Sequence, residues 1–261
     1  MSALARWYTR HGRHDLAWRL TRDRWAVLVS EVMLAQTQVP RVATRWPEFL
    51  AEFPTPEALA SAGPGAALRA WDRLGYPRRA RRLWEAASII VRDGWPDDYA
   101  SLPGVGRYTA GAVAAQADER ANAVAVDVNV RRVVQRVSGR LLGPAAAEAA
   151  ATEIAAPLVG RDRLLALMDL GALVCTPRAP ECDACPFAVR CSSRGPLDGE
   201  STKRQARYAG SHRQRRGAVL ARLRSEPTVH ADELDGPALE SLLADGLAAI
   251  DEGGRVSLPQ A

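Results

Sequence analysis

Along residues 25–192 the apolar positions recur at intervals of three and four, and no stretch keeps the strict alternation of a half-buried strand. The pattern predicts short amphipathic helices joined by Pro/Gly turns. Trp25 to Gln38 reads as one mostly apolar helix, and Arg41 to Phe53 as the next, before Pro54 and Pro56 interrupt. Thr55 followed by Pro56-Glu57-Ala58-Leu59 is a helix start, with threonine as the cap and proline in the first turn. Leu68 to Leu74 stops at Gly75, Arg78 to Asp93 stops at Gly94, and residues 145–156 form an alanine-rich helix. A Ser/Gly/Arg-rich linker covers 193–212. Beyond it Arg213–Arg224, Ala231–Leu234 and Pro237–Ile250 read as three helices, and the turn Glu252 to Arg255 leads into a short strand, Val256-Ser257-Leu258. Three helices and a β-wing describe a small winged-helix-like module. No internal repeat is visible.

Composition narrows the class without deciding it. The 261 residues are 47% apolar and 25% charged, an ordinary globular balance with room for two domains. Met1 to Leu20 is broken by Arg6, Arg10, His11, Arg13, His14 and Asp15, and no later run approaches a membrane-spanning length. The expectation is a cytoplasmic protein with no membrane partner, working as a monomer. A net charge of +5 suits an anionic partner. Nearly all of the positive charge is arginine, and Lys203 is the single lysine.

The four cysteines, Cys175, Cys182, Cys185 and Cys191, fall within seventeen residues as C-x6-C-x2-C-x5-C. A disulfide pair fits poorly where every cysteine sits in one segment and no secretory signal precedes it. Four thiolates in one cage suit a [4Fe-4S] cluster or a structural zinc. A single C-x2-C with wider flanks leans toward iron–sulfur and leaves zinc open. A second motif is Leu102-Pro103-Gly104-Val105-Gly106-Arg107-Tyr108-Thr109-Ala110. A tight turn carrying Leu102, Gly104, Val105 and Gly106 into a helix leaves backbone N–H groups free for a DNA phosphate. An ordinary packing corner would also use those glycines.

These residues carry a resemblance. Leu102 to Ala110 resembles the helix-hairpin-helix of the endonuclease III superfamily of DNA glycosylases, and the cysteine spacing is that family's iron–sulfur loop. Glu31-Val32-Met33-Leu34-Ala35-Gln36-Thr37-Gln38-Val39 resembles the E-V-M-L-Q-Q-T-Q-V signature of MutY-type adenine glycosylases; Leu74-Gly75-Tyr76 and Met168-Asp169-Leu170-Gly171-Ala172 are similar to that family too. The resemblance spans residues 15–192 and implies a mostly α-helical, two-module glycosylase with a [4Fe-4S] cluster on the four cysteines. Residues 1–24 with 131–192 would form the cluster module, 25–130 the six-helix module with the hairpin, 193–212 the linker and 213–261 the winged-helix-like module. The partner implied is double-stranded DNA with a mismatched or damaged base pair.

Hydrolysing an N-glycosidic bond needs a proton for the leaving base and a negative charge beside the developing sugar cation. Glu31 is the only acid between Asp23 and Glu48 and stands in an apolar helix, where burial would keep it protonated; without the motif it would read as a solvated helix edge. Asp127 precedes the helix beginning near Asn129, as an N-cap whose N–H bonds and helix dipole would lower its pKa and keep it ionised. By resemblance Glu31 protonates adenine and Asp127 stabilises the oxocarbenium ion, with a covalent sugar intermediate as one route, while Tyr108 and Asn129 support the pair by hydrogen bonding. A lyase would need an amine nucleophile, and this chain has Tyr108 where endonuclease III proper carries lysine, which implies a monofunctional enzyme. The resemblance assigns Gln36, with Thr37 beside it, and Tyr76 to the duplex wedge. The run Arg78, Arg79, Arg81 and Arg82 reads as phosphate contact, as do Arg131 and Arg132, and Lys203, Arg204, Arg207, Arg213, Arg215 and Arg216; a solvated face is the plainer reading of any such run. Three departures stand out: Ala35 for glutamine, Val128 for the glycine after the aspartate, and a tail of about fifty residues, too short for a Nudix-like domain. A thymine/uracil glycosylase acting opposite G is the substrate alternative. A non-catalytic iron–sulfur DNA-binding redox sensor is the alternative of another class.

Overall fold

A computed structural model describes residues 1–200 and 207–260. In chain order its helices are α1 (Ala3–His11), α2 (Arg24–Leu34), α3 (Val39–Glu52), α4 (Pro56–Trp71), α5 (Arg78–Asp93), α6 (Arg107–Gln116), α7 (Val128–Ser138), α8 (Pro144–Ala155), α9 (Gly160–Leu173), α10 (His212–Ser225) and α11 (Gly236–Ala244). The strands β1 (Val229–His230), β2 (Ala249–Ile250) and β3 (Arg255–Ser257) all lie in the tail. The fold is mostly α, as the periodicity predicts, and no described helix is long and apolar enough to cross a membrane. Lys203 and Arg204 lie outside the described residues.

Two compact units divide the chain. One gathers Met1–Leu28, Asp98–Ala100 and Val105–Lys203; the other Val29–Asp97, Ser101–Gly104 and Arg204–Ala261. In the first, α1, α7, α8 and α9 bury Leu4, Val130, Val134, Ile154, Leu167 and Leu170 together, and Phe187 from the cysteine loop joins them. Arg19 donates to both oxygens of the fully buried Asp169 at 2.7 and 2.8 Å, and Arg13 adds its backbone N–H at 2.8 Å and its Nε at 2.7 Å. Burial pushes the Asp169 carboxyl up, yet the hydrogen bonds and charges of Arg19 and Arg13 outweigh it and hold the group below its ordinary value. That is why the N-terminal segment docks on α9.

In the second unit α4 and α5 lean on each other through Leu59, Leu68, Trp71, Leu83 and Ala87, all essentially unexposed. The tail is a winged-helix-like module: α10, β1, a single 3-10 turn at Ala231–Glu233, α11, then β2 and β3, with β3 central in an antiparallel sheet. Three helix boundaries differ from the periodicity. The helix expected over Leu68 to Leu74 ends at Trp71, where Asp72 (φ 43°) opens a 3-10 turn to Leu74. The helix expected over Trp25 to Gln38 stops at Leu34, because Gln36 takes a φ of 65°. The helix expected over Pro237–Ile250 stops at Ala244, where Asp245 and Gly246 (φ 62°) turn the chain into β2.

Candidate active site

Asp127 is the N-cap of α7: one carboxylate oxygen accepts from Val130 N–H at 2.7 Å, the other from Asn129 Nδ2 at 2.7 Å. Asn129 Oδ1 in turn accepts from Arg132 Nη2 at 2.9 Å. The same guanidinium donates to the carbonyls of Gly171 and Cys175, both at 2.6 Å. The acid is thus tied, through one amide and one guanidinium, to the end of α9 and the first cysteine. Gly171 is required there: a Cβ would sit 2.8 Å from Asn129 Cβ and 2.8 Å from its carbonyl oxygen. Arg132 is engaged in this bridge, which a charge run in the sequence cannot distinguish from a phosphate-facing arginine.

The expected direction of the Asp127 pKa shift needs correction. Burial is the largest influence and raises its pKa; the bonds from Val130 and Asn129 and the charge of Arg132 only partly offset it. The cap is present as expected, but desolvation outweighs it. Tyr108 lies on α6 with its ring against the cluster of Ala112, Ala115, Ala125 and Leu164, and its hydroxyl donates to Met168 Sδ at 3.6 Å. Glu31, on α2, is 3% exposed between Ser30 and Met33, which are equally buried, so it does not emerge on a solvated edge. It belongs to the second unit and Asp127 to the first.

Within the second unit two turns share one organiser. Gln36 and Tyr76 both hold positive φ, 65° and 48°, costly for residues with side chains. Arg79 joins them. Its Nη1 donates to the carbonyls of Val32 and Met33 at 2.6 and 2.9 Å, and its Nη2 to Thr37 Oγ1 at 2.8 Å and Gly75 O at 3.1 Å. Its guanidinium also covers the rings of Trp71 and Tyr76 at 5.1 and 5.4 Å. Burial lowers its pKa to about 10. Arg79 therefore faces inward, and the basic run splits: Arg78 is 62% exposed and pairs with Asp245 at 2.5 Å, and Arg81 pairs with Glu85 at 3.0 Å. Arg82 packs on Gly104, where a Cβ would approach within 2.9 Å of Arg82 Cβ. Gly104 (φ 78°) turns the chain toward α6, whose N-cap Gly106 supplies no side-chain acceptor and leaves the first N–H groups without a side-chain cap. Leu102 and Val105 are buried as the apolar flanks of this turn.

The cysteine loop wraps the C-terminal half of α7. Arg136, 1% exposed, donates to both oxygens of Glu200 at 2.7 Å and to the carbonyls of Thr176 and Pro177 at 2.8 and 2.9 Å. All four cysteines line one cavity together with Val133, Leu170 and Phe187. Two N–H donors already address the sulfurs: Phe187 N to Cys185 Sγ at 3.4 Å and Arg136 Nη1 to Cys175 Sγ at 3.6 Å. Burial raises the Cys175 thiol and pushes Cys185 up to about 11, so four thiolates need a compensating positive charge. Among the described residues no three His, Cys, Asp or Glu side chains gather closely enough to hold a single ion. Four sulfur donors around one cavity, with N–H groups aimed at two of them, fit a thiolate-held metal centre. Arg132 and Arg136 were not legible as parts of this site because α7 reads simply as amphipathic, and Glu200 because it stands in the Ser/Gly/Arg-rich linker.

Comparison with known proteins agrees with this architecture. Residues 29–156 match the HhH-GPD superfamily of base excision DNA repair proteins. The adenine DNA glycosylase of Mycobacterium tuberculosis is 44% identical over 98% of this chain and 92% of its own length. That of Mycolicibacterium smegmatis is 43% identical over 98% and 94%. Matches over 98% of this chain take in the winged-helix-like tail. A solved thermostable thymine-DNA glycosylase superposes with a TM-score of 0.67 at 28% identity, over 74% of this chain and 93% of that one. The chain belongs to the adenine DNA glycosylase family of the HhH-GPD superfamily of base excision DNA repair proteins.

Proposed function

We propose that this chain, as a monomer on double-stranded DNA, hydrolyses the N-glycosidic bond of adenine mispaired with 8-oxoguanine or G and leaves an abasic site. The observation that carries the reading is Asp127: a half-buried carboxylate held on both oxygens at the start of α7, in a family of adenine DNA glycosylases. Its charge stabilises the oxocarbenium ion as the base departs. Held in place by Val130 and Asn129, it spends little on reorganisation at that moment. Glu31, buried on α2, delivers the proton to the adenine ring. Asn129 orients Asp127 through its amide, and no side chain supplies the amine that a lyase step would need at the Tyr108 position.

Flipping the target base needs a filler for the gap and a grip on the backbone. Gln36 and Tyr76, strained and pinned by Arg79, are the wedge, with Thr37 in the same turn. The uncapped start of α6 after Gly104, Val105 and Gly106 receives a phosphate, and Arg78 another. A [4Fe-4S] cluster on Cys175, Cys182, Cys185 and Cys191 fixes the loop that Arg132 and Arg136 already bind. When bound it supplies anchoring and positive charge for four thiolates; the hydrolytic step itself needs no redox chemistry.

A second reading is favoured by the structural likeness to a thymine-DNA glycosylase. The test incubates the protein with duplexes bearing A opposite 8-oxoguanine, A opposite G, and T or U opposite G, followed by alkali. Cleavage at A that disappears in Asp127→Asn is the expected result. Cleavage only at T or U transfers the substrate to the second reading, and no cleavage at all leaves a DNA-binding protein.

A further inference from the structure

We infer that Glu200 is a positioning residue of the metal centre: with the chain from Ser192 onward it latches over the cysteine cavity, aims Arg136 at the Cys175 sulfur and holds the metal against loss. The inference rests on the reading that the four cysteines bind a metal centre, and it holds for iron–sulfur and zinc alike.

Composition alone reads the chain after Cys191 as the beginning of a loose linker. The structure instead docks Ser192 to Glu200 on α7. Ser192 and Ser193 donate their backbone N–H groups to the carbonyls of Val137 and Arg136, in the last turn of that helix, at 3.1 and 3.2 Å. Gly139, which turns the chain out of α7 at a φ of 69°, leaves room for the crossing: a Cβ there would stand 2.8 Å from Ser192 Cβ. Farther along, Arg194 and Gly195 form part of the wall of the cavity that the four cysteines line. The Arg194–Asp183 pair on the outside is exposed on both partners and adds little. What fastens the segment is its far end.

There Glu200 meets Arg136. A guanidinium has five N–H donors, and here each has an acceptor. Nε and one N–H of Nη2 go to the two oxygens of Glu200, both at 2.7 Å, and the other N–H of Nη2 reaches Pro177 O at 2.9 Å. Nη1 divides between Thr176 O at 2.8 Å and Cys175 Sγ at 3.6 Å. The paired contact with Glu200 fixes the plane of the guanidinium, and that plane carries Nη1 to the sulfur. Glu200 Oε1 also accepts from Leu197 N–H at 3.2 Å, which closes the end of the segment on itself. The charge of Glu200 by itself opposes four thiolates, so what it contributes is orientation and closure. Its side chain is 13% exposed and that of Arg136 1%, so opening the clasp leaves a buried cation without its counter-charge. That cost keeps the latch shut.

The test follows metal loss from full-length holoprotein in air with excess EDTA, by metal analysis of desalted samples over time. Global unfolding is followed in the same buffer by tryptophan fluorescence. Wild type and Glu200→Gln are first brought to the same metal content. The variant, one charge short at the clasp, loses its metal about ten- to a hundredfold faster. Its metal loss also outpaces its global unfolding, because only the latch has opened. Loss at the wild-type rate overturns the inference. So does loss that merely keeps step with global unfolding, the mark of an ion pair that only stabilises the fold. If Glu200→Gln does not fold, Glu200→Asp, which keeps the charge but is one methylene too short to span Nε and Nη2, is read against the same two criteria. Wild-type protein that holds no metal would instead end the reading on which the inference rests, and would leave the role of Asp127 untouched.

Discussion

Asp127 carries two duties, a helix cap and a catalytic charge, and substitution can separate them. Asp127→Ala removes both hydrogen bonds and leaves Val130 N–H and the Asn129 amide without their acceptor. Loss of the cap costs about 1 kcal/mol and the whole change about 1–2 kcal/mol. Asp127→Asn keeps a carbonyl oxygen for Val130 N–H and removes a charge that burial disfavours. Its amide group must then face Asn129 Nδ2, whose own oxygen Arg132 holds in place, at a cost of about 1 kcal/mol. These terms oppose, so near pH 7.5 the Asn variant stays within about 1 kcal/mol of wild type, roughly 2–4 °C in Tm. The sign of the pH dependence is firmer. A carboxyl whose folded pKa is raised binds its proton longer in the native state than in the unfolded chain. Its contribution to stability is therefore greatest below the unfolded value of about 3.9 and declines as pH rises through the folded value. The stability of the Asn variant relative to wild type should grow from pH 4 to pH 7, while both variants lose adenine excision. Denaturant melts across that range, with single-turnover cleavage in parallel, make the measurement. An Asn variant more than about 2 kcal/mol below wild type at pH 7.5, or a gap that moves the other way with pH, refutes the claim that desolvation dominates this carboxylate.

Arg79→Lys and Arg79→Gln should both lower kcat/KM on mismatched duplex at least tenfold, since one ammonium cannot serve four acceptors on two turns; a lysine variant with wild-type rates would sink Arg79 as the organiser of Gln36 and Tyr76. Asp169→Ala leaves Arg13 and Arg19 without their buried partner and should cost about 3–5 kcal/mol in denaturant melts. Because the folded pKa of Asp169 is lowered, wild type holds that stability above about pH 4 and loses it as pH falls through the folded value, so the gap to the variant should close in acid. Purified protein should be brown with about four irons per chain, and Cys185→Ser should strip them; one zinc per chain would overturn the cluster assignment. Borohydride should trap no enzyme–DNA adduct, and an adduct surviving Lys203→Ala would require another amine nucleophile.

Periodicity alone determined the helical class, the capped start at Thr55, the extent of α5 from Arg78 to Asp93, and the N-cap role of Asp127. These are local properties, set by side-chain spacing and by which residues can accept the first free N–H groups of a helix. Motif order, read as likeness, supplied the family. Tertiary structure decided what each charge does. Adjacent arginines on one basic run went to different tasks, Arg79 inward to two strained turns and Arg78 to Asp245, and Arg132 of a second run went to Asn129 and the cysteine loop. Sequence shows that a guanidinium is present, but its partners are brought by segments up to 167 residues away, as Asp245 is to Arg78. The pKa of Asp127 was misjudged for the same reason. Its hydrogen bonds are local and visible in the sequence, whereas the desolvation that outweighs them comes from everything packed around it.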